Sequence, residues 1–152
     1  MANRREAAVG AVFLGGEVSA PRGLTMAELR SLPQYQQEIS FACRKSGLRR
    51  HRFGGPLLLD VASLAAPRFV PGERKSRLRF MISLWGGDGH RVVISWAEID
   101  PEFANQRVLL GLSRDGTLLD GEGPQLVLPS DVCGARNLSG VTDLRIFTDP
   151  TR

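Results

Sequence analysis

The chain has 152 residues, 42% of them hydrophobic and 24% charged, which excludes wholesale disorder and suffices for one domain without metal or disulfide help. Twenty Lys and Arg against sixteen Asp and Glu leave +4, a balance that permits a nucleic-acid partner without arguing for one. Seventeen glycines and nine prolines predict many turns and short elements.

Residues 1–8 are polar and are expected to form a flexible N-terminus, with a single domain over 9–148. Arg4 and Arg5 precede an apolar run, Ala7 to Leu14, and Val18-Ser19-Ala20 has the form of a cleavage site. Yet the run is short, Glu6 stands in its basic flank, and Pro21 would follow the cut. A strand over Val9 to Val18, interrupted at Gly15-Gly16, is the better reading. No stretch approaches the roughly 20 apolar residues of a membrane span, so no membrane partner is expected and the protein is placed in the cytoplasm.

Thr25-Met26-Ala27-Glu28 is a capping box, and the helix it opens carries Met26, Leu29 and Leu32 before Pro33 stops it. Glu38 to Arg44 alternates, with Ile39, Phe41 and Cys43 on one face, as a half-buried strand does. Ser46-Gly47 signals a turn, and Leu48 to Phe53 should return as the hairpin partner. Gly54-Gly55-Pro56 then opens a buried helix over Leu57 to Ala66 whose one charge is Asp60. Residues 67–76, with Pro67, Pro71, Gly72 and several charges, read as a loop. Leu78 to Trp85 is a strong strand, Gly86 to Gly89 a tight turn, and His90 to Ser95 the next strand. Ser95-Trp96-Ala97-Glu98 is a second capping box. Arg107 to Ser113 reads as one strand, Asp115-Gly116 as a turn, Gln125 to Leu128 as a short strand and Leu138 to Phe147 as the last. Strands do not alternate regularly with helices, which excludes a doubly wound sheet. The expected class is α+β, with strand-rich mixed sheets and a few short helices.

Cys43 and Cys133 show neither CxxC nor Cys/His ligand spacing, so a structural zinc is not expected, and reduced thiols are expected in a cytoplasmic protein. There is no P-loop, GxSxG or HExxH, and Gly87-Asp88-Gly89 lacks the third glycine and the following helix of a dinucleotide fingerprint.

Several segments, in order, carry a resemblance. Gly16-Glu17-Val18 with Pro21, then Leu24 to Leu29 with Leu32-Pro33, is similar to the opening of sulfite-oxidase-type molybdopterin-binding domains. Phe41-Ala42-Cys43 falls where that family has its cofactor cysteine, and Phe53 to Leu58 resembles its helix entry. Gly87 to His90 is similar to its x-D-G-Y turn, and Trp96 to Ile99 to the segment that follows. Leu109-Leu110, Asp115 to Leu119 and Gly123 to Pro129 resemble the run that ends L-V-x-P. The resemblance covers about residues 12 to 147 and implies a sulfite-oxidase-type molybdopterin-binding fold. It also implies a molybdenum–pterin cofactor with Cys43 as the metal ligand, a soft thiolate on a metal already held by sulfur. Departures stand beside the matches. Cys43 is followed by Arg44-Lys45-Ser46-Gly47 where the family has Ala/Ser-Gly-Asn-Arg, and Ser139 and Gly140 replace the late lysine and tryptophan.

Arg44, Lys45, Arg49, Arg50, His51 and Arg52 form the densest charge cluster. It is either an anion site or a solvated hairpin edge. On the first reading Cys43 is the ligand, with Arg49, Arg50 and Arg136 as anion contacts, and the protein is nominally an oxidoreductase. On the second the domain has no cofactor. Its cleft then works on a small organic molecule by acid–base chemistry through His51, His90, Asp88 and Asp131, and Cys43 serves as a nucleophile or an inert thiol. Asp131, Cys133 and Arg136 lie on the late loop that faces the cofactor in the family. Either way the expected partner is a pterin or another small molecule and not nucleic acid, since the cluster has few interleaved aromatics.

Overall fold

The computed structural model describes residues 11–43 and 47–150, with backbone alone for 41–43. Its strands are β1 (Val12–Gly16), β2 (Arg22–Leu24), β3 (Tyr35–Cys43), β4 (Gly47–Gly55), β5 (Phe80–Gly86), β6 (Arg91–Ser95), β7 (Leu109–Gly111), β8 (Ser113–Arg114), β9 (Thr117–Leu118), β10 (Gln125–Val127) and β11 (Val141–Thr148). They form a five-stranded sheet, β2-β1-β11-β5-β6, a four-stranded sheet, β3-β4-β8-β9, and a two-stranded ribbon, β10-β7. β1 runs parallel to β11 while the other pairs are antiparallel, so the class is α+β with a mixed main sheet, as composition and pattern imply.

The main sheet follows from alternation. Val12 and Leu14 are fully buried and Phe13 between them is exposed, the period-2 pattern of a one-sided strand. β1 does not break at Gly15-Gly16 but runs through both and ends there. A side chain at Gly16 would put its Cβ 2.0 Å from the Ile146 carbonyl oxygen, and its φ is +99°, so only glycine lets β1 lie this close to β11. Val18 lies beyond the strand and bridges to Pro67.

Both capping boxes form. Thr25 Oγ1 accepts the Glu28 amide at 3.1 Å and starts α1 (Met26–Ser31), which buries Met26 and Leu29. Ser95 and Glu98 cap each other's backbone and start α3 (Trp96–Ile99). The helix expected over Leu57 to Ala66 is shorter, α2 (Leu58–Ser63), with Leu57 as its N-cap. Gly54 and Gly55, expected to open it, instead finish β4. A Cβ on Gly55 would meet the Leu110 carbonyl oxygen at 2.0 Å, so glycine is what lets β4 lie against β7.

Three strands differ from expectation for tertiary reasons. Residues 78–79 do not begin β5 but end a 3₁₀ turn, Arg74–Arg79, in which Phe80 N–H donates to the Arg77 carbonyl. Leu78 is about half exposed, so no core draws it into the sheet. The strand expected over Arg107 to Ser113 splits at Leu112, with β7 pairing β10 and β8 pairing β4 and β9. The last strand begins at Val141 and not Leu138, after Gly140 turns the chain with φ +62°.

The main core lies between the five-stranded sheet and α1, α2 and α3, with Leu14, Leu29, Leu58, Ile82, Leu84 and Ile94 fully buried. A smaller core of Ile39, Phe53, Leu109 and Val127, with Tyr35 and Leu57 against it, fastens the base of the β3–β4 hairpin to β7 and β10. Burying Phe53 contributes roughly 2–3 kcal/mol. The far end of β4 has no such anchor: residues 47–50 are all exposed, Leu48 at 72%. No helix among the described residues is long and apolar enough to cross a membrane.

Candidate functional site

The β3–β4 hairpin pairs from Tyr35 opposite Gly55 to Cys43 opposite Gly47, whereas β8 pairs with β4 only at Phe53 and Gly54. The edge of β4 beyond that point is closed by one residue, Asp115. Its amide donates to the Arg52 carbonyl at 2.8 Å, and its Oδ1 accepts the Arg52 amide at 2.9 Å. Asp115 and Gly116 are the two-residue turn between β8 and β9, with φ of +51° and +82°, the geometry that favours Asp-Gly in tight hairpins. The turn therefore presents the Asp115 carboxylate to β4.

That carboxylate also meets His51. Oδ2 lies 2.6 Å from Nδ1, and the imidazole ring stands edge-on to buried Phe53 at 6.0 Å between centroids. An ionised carboxylate can only accept, so Nδ1 carries the hydrogen between the two groups. The Arg52 amide, followed by His51, holds the Asp115 carboxyl below the usual carboxylate range.

The pair lines an open groove of about 590 Å³ with Gln36, Glu38, Arg50, Arg52 and Ser113. Gly54 forms part of its wall, where a Cβ would come within 2.9 Å of Ser113 Oγ. Arg50 lies 3.6 Å from Glu38 and 3.4 Å from Ser40 Oγ, an exposed arrangement worth a few tenths of a kcal/mol or less, so the guanidinium can turn to a ligand at little cost. Arg52 has no carboxylate partner among the described residues.

The expected site residues are distributed over three places. Arg50 and His51 both line the groove, but from opposite faces of β4, Arg50 with Arg52 and His51 with Phe53, and Arg49 is exposed next to them. Cys43 ends β3 at the far end of the hairpin, and its side chain lies outside the described residues, as do Arg44 and Lys45. Asp88 and His90 form a turn of their own, Asp88 accepting the His90 amide at 3.0 Å and lying 2.9 Å from its Nδ1. His90 is 81% exposed, and neither residue lines the groove. Asp131 and Arg136 form a third cluster. Arg136 donates to Asp131 at 2.8 and 2.9 Å and to Glu98 at 3.2 and 3.3 Å, which raises its already high pKa, mainly through Asp131. Cys133 is exposed and forms no disulfide. The short turn Gly134–Arg136 lies beside β3, so the late loop does reach the hairpin. Sequence reasoning missed Asp115 and Glu38 as lining groups, and named Arg52 only as a member of the charge cluster. Asp115-Gly116 is legible as a turn, but its bond to His51 spans 64 positions and has no local signal.

A pterin–molybdenum group would need its anion contacts to converge near Cys43. Arg136 is held by two carboxylates, and Arg49 and Arg50 are successive strand residues that face opposite sides of the hairpin. No group of three or more His, Cys, Asp or Glu able to hold a metal ion occurs among the described residues.

No protein-family model matches the chain, and no curated protein matches it in sequence. Among solved structures, its fold is similar to a chain in the crystal structure of the sulfane dehydrogenase SoxCD from Paracoccus pantotrophus, with a TM-score of 0.73 and 15% sequence identity. The match covers 95% of this chain and 40% of that one, so the two share a fold at a distant level and this chain spans less than half of its neighbour.

Proposed function

We propose that this chain is a small domain of the sulfite-oxidase-type fold that binds a small organic anion in the groove over β4 and moves a proton through His51. The 2.6 Å contact between His51 and Asp115 in an open groove carries the reading. Arg50 and Arg52 would bind the carboxylate or phosphate of the ligand, the geometry for which a guanidinium fork is suited. Asp115 would keep Nδ1 protonated, so that Nε2 accepts a proton from the bound molecule and returns it later in the cycle. An imidazole is the side chain best matched to such transfer near neutral pH.

A thermal-shift series with small carboxylates and organic phosphates tests the binding. A true ligand at 100 times its dissociation constant adds about 2.7 kcal/mol of stability. The reading fails if no anion in the series moves the unfolding midpoint, or if Arg52→Ala leaves the shift intact.

A second reading, a molybdenum–pterin cofactor held near Cys43, is supported by the ordered motif match around that cysteine and by the fold shared with a sulfane dehydrogenase chain. Metal analysis of protein from a molybdenum-replete host decides it. Molybdenum with releasable pterin at one equivalent supports it, and protein free of both removes it.

A further inference from the structure

The basic hairpin is not the only concentration of charge. Residues 67–79 hold Arg68, Arg74, Lys75, Arg77 and Arg79 against the single acid Glu73. The segment is a strap across α2 and α3, and it is pinned firmly. Arg68 N–H donates to the Glu17 carbonyl at 3.0 Å, Val70 N–H donates to Ser76 Oγ at 3.2 Å, and Phe69 packs edge-on against Phe80 and Trp96 at 4.8 and 4.9 Å. Arg77 donates to Asp100 at 2.8 Å and also to Glu102, and Asp100, 2% exposed, accepts Trp96 Nε1 at 2.9 Å.

The pinning sorts the cations. Arg77 is neutralised inside, whereas Arg68, Arg74, Lys75 and Arg79 are exposed and have no carboxylate partner among the described residues. Counting Glu73, Asp100 and Glu102 against the five cations still leaves a net +2. Between the strap and α2 lies a concave groove of about 570 Å³, walled by Leu59, Phe69, Pro71 and Pro101, with Arg74 at its side. Val70 and Leu78 add apolar surface that is 48% and 47% exposed.

We infer that this strap and groove dock an acidic segment of another protein, one that carries apolar side chains between its carboxylates. The unpaired cations meet the carboxylates, and the groove takes the apolar side chains. Because the strap is already fixed by these hydrogen bonds and by the packing of Phe69, binding costs little ordering on this side. A membrane surface fits less well, since a flat headgroup plane cannot fill a recess. Single-stranded nucleic acid fits less well because stacking platforms are missing: Phe103 is covered by Arg74 and Arg77 at 6.0 and 5.5 Å.

Fluorescence anisotropy of the full chain tests this. The probe is a labelled peptide of roughly a dozen residues, alternating Glu or Asp with Leu or Phe, a length matched to groove recognition. Its partners in the test are the same peptide with Gln and Asn for the acids, an all-Glu peptide, a uridine-rich single-stranded RNA and phosphatidylserine vesicles. We expect the acidic–apolar peptide to bind about tenfold more tightly than either altered peptide, with added salt weakening it. The double change R74E/K75E should weaken it by about tenfold or more, while Arg145→Glu, an exposed control on β11, leaves it unchanged. Tighter binding by RNA or vesicles, equal binding by the Gln/Asn peptide, no binding at all, or indifference to R74E/K75E in a variant whose melting is unaltered would each overturn the inference.

Discussion

Two segments carry half of the cations of this chain, and they teach opposite lessons. Residues 44–52 and 67–79 hold five Lys and Arg each, and in sequence the first is the more conspicuous. In the structure the described part of the first, residues 47–52, lies on β4, whose base is fastened by Phe53 and Ile39 and whose residues 47–50 are exposed. The second is a pinned strap in which one arginine is folded inward onto a nearly buried aspartate. Density of charge located both segments, but what surrounds each guanidinium decides what it can do. On the hairpin, Arg50 and Arg52 border a groove beside a histidine–aspartate pair, the arrangement proposed above to bind a small anion. On the strap, Arg74 borders a recess with apolar walls and the other exposed cations lie on the same segment, the arrangement proposed above to dock an acidic partner segment.

The comparison can be broken from its foundations upward. Phe53→Ala should remove the anchor of the hairpin and cost about 3–5 kcal/mol in chemical denaturation, together with ligand binding at the groove. Asp100→Ala should cost about 3 kcal/mol, because it strips Trp96 Nε1 and Arg77 of a buried acceptor, and it should loosen the strap without touching the groove at His51. If Asp100→Ala abolished ligand binding over β4 while the protein stayed folded, the two regions would not be separate. Thr25→Ala, in the capping box of α1, should cost about 1 kcal/mol and leave both regions intact, which calibrates the other two.

The smallest effect is electrostatic. Asp115 has a carboxyl held below its ordinary value, so the stability it contributes is present above the usual carboxylate range and is lost as pH falls through its lowered folded value. An acid titration of Asp115→Asn should therefore show a shallower loss of stability on the acidic side than the parent. Identical acid limbs would mean that the Asp115 bonds to Arg52 and His51 contribute nothing in solution.

What the sequence disclosed follows how locally each feature is determined. The two capping boxes are complete within four residues, and both form. The strand at Val12 to Leu14 is legible as an apolar run, but the outward turn of Phe13 between buried Val12 and Leu14 is not, since all three are apolar. The break at Leu112 is invisible because Leu112 itself continues the apolar run from Val108, and only the geometry of two different sheets separates β7 from β8. Leu78 and Arg79 fit the strand pattern, yet the turn pinned through Arg77 claims them. At the site, the local cluster of arginines around His51 was legible. The carboxylate that orients the histidine was not, since it arrives from a turn more than sixty residues away. Asp131 and Arg136 were rightly placed on one loop, and their bond to each other leaves little of either for a ligand.

The central claim is that His51, oriented by Asp115, faces a bound organic anion. Nitrogen-15 NMR of the imidazole tests it most directly. The account predicts a hydrogen on Nδ1 of His51, loss of that tautomer preference in Asp115→Asn, and movement of the Nε2 resonance when a stabilising anion is titrated in. A His51 spectrum that is the same in Asp115→Asn and indifferent to every such anion would contradict it.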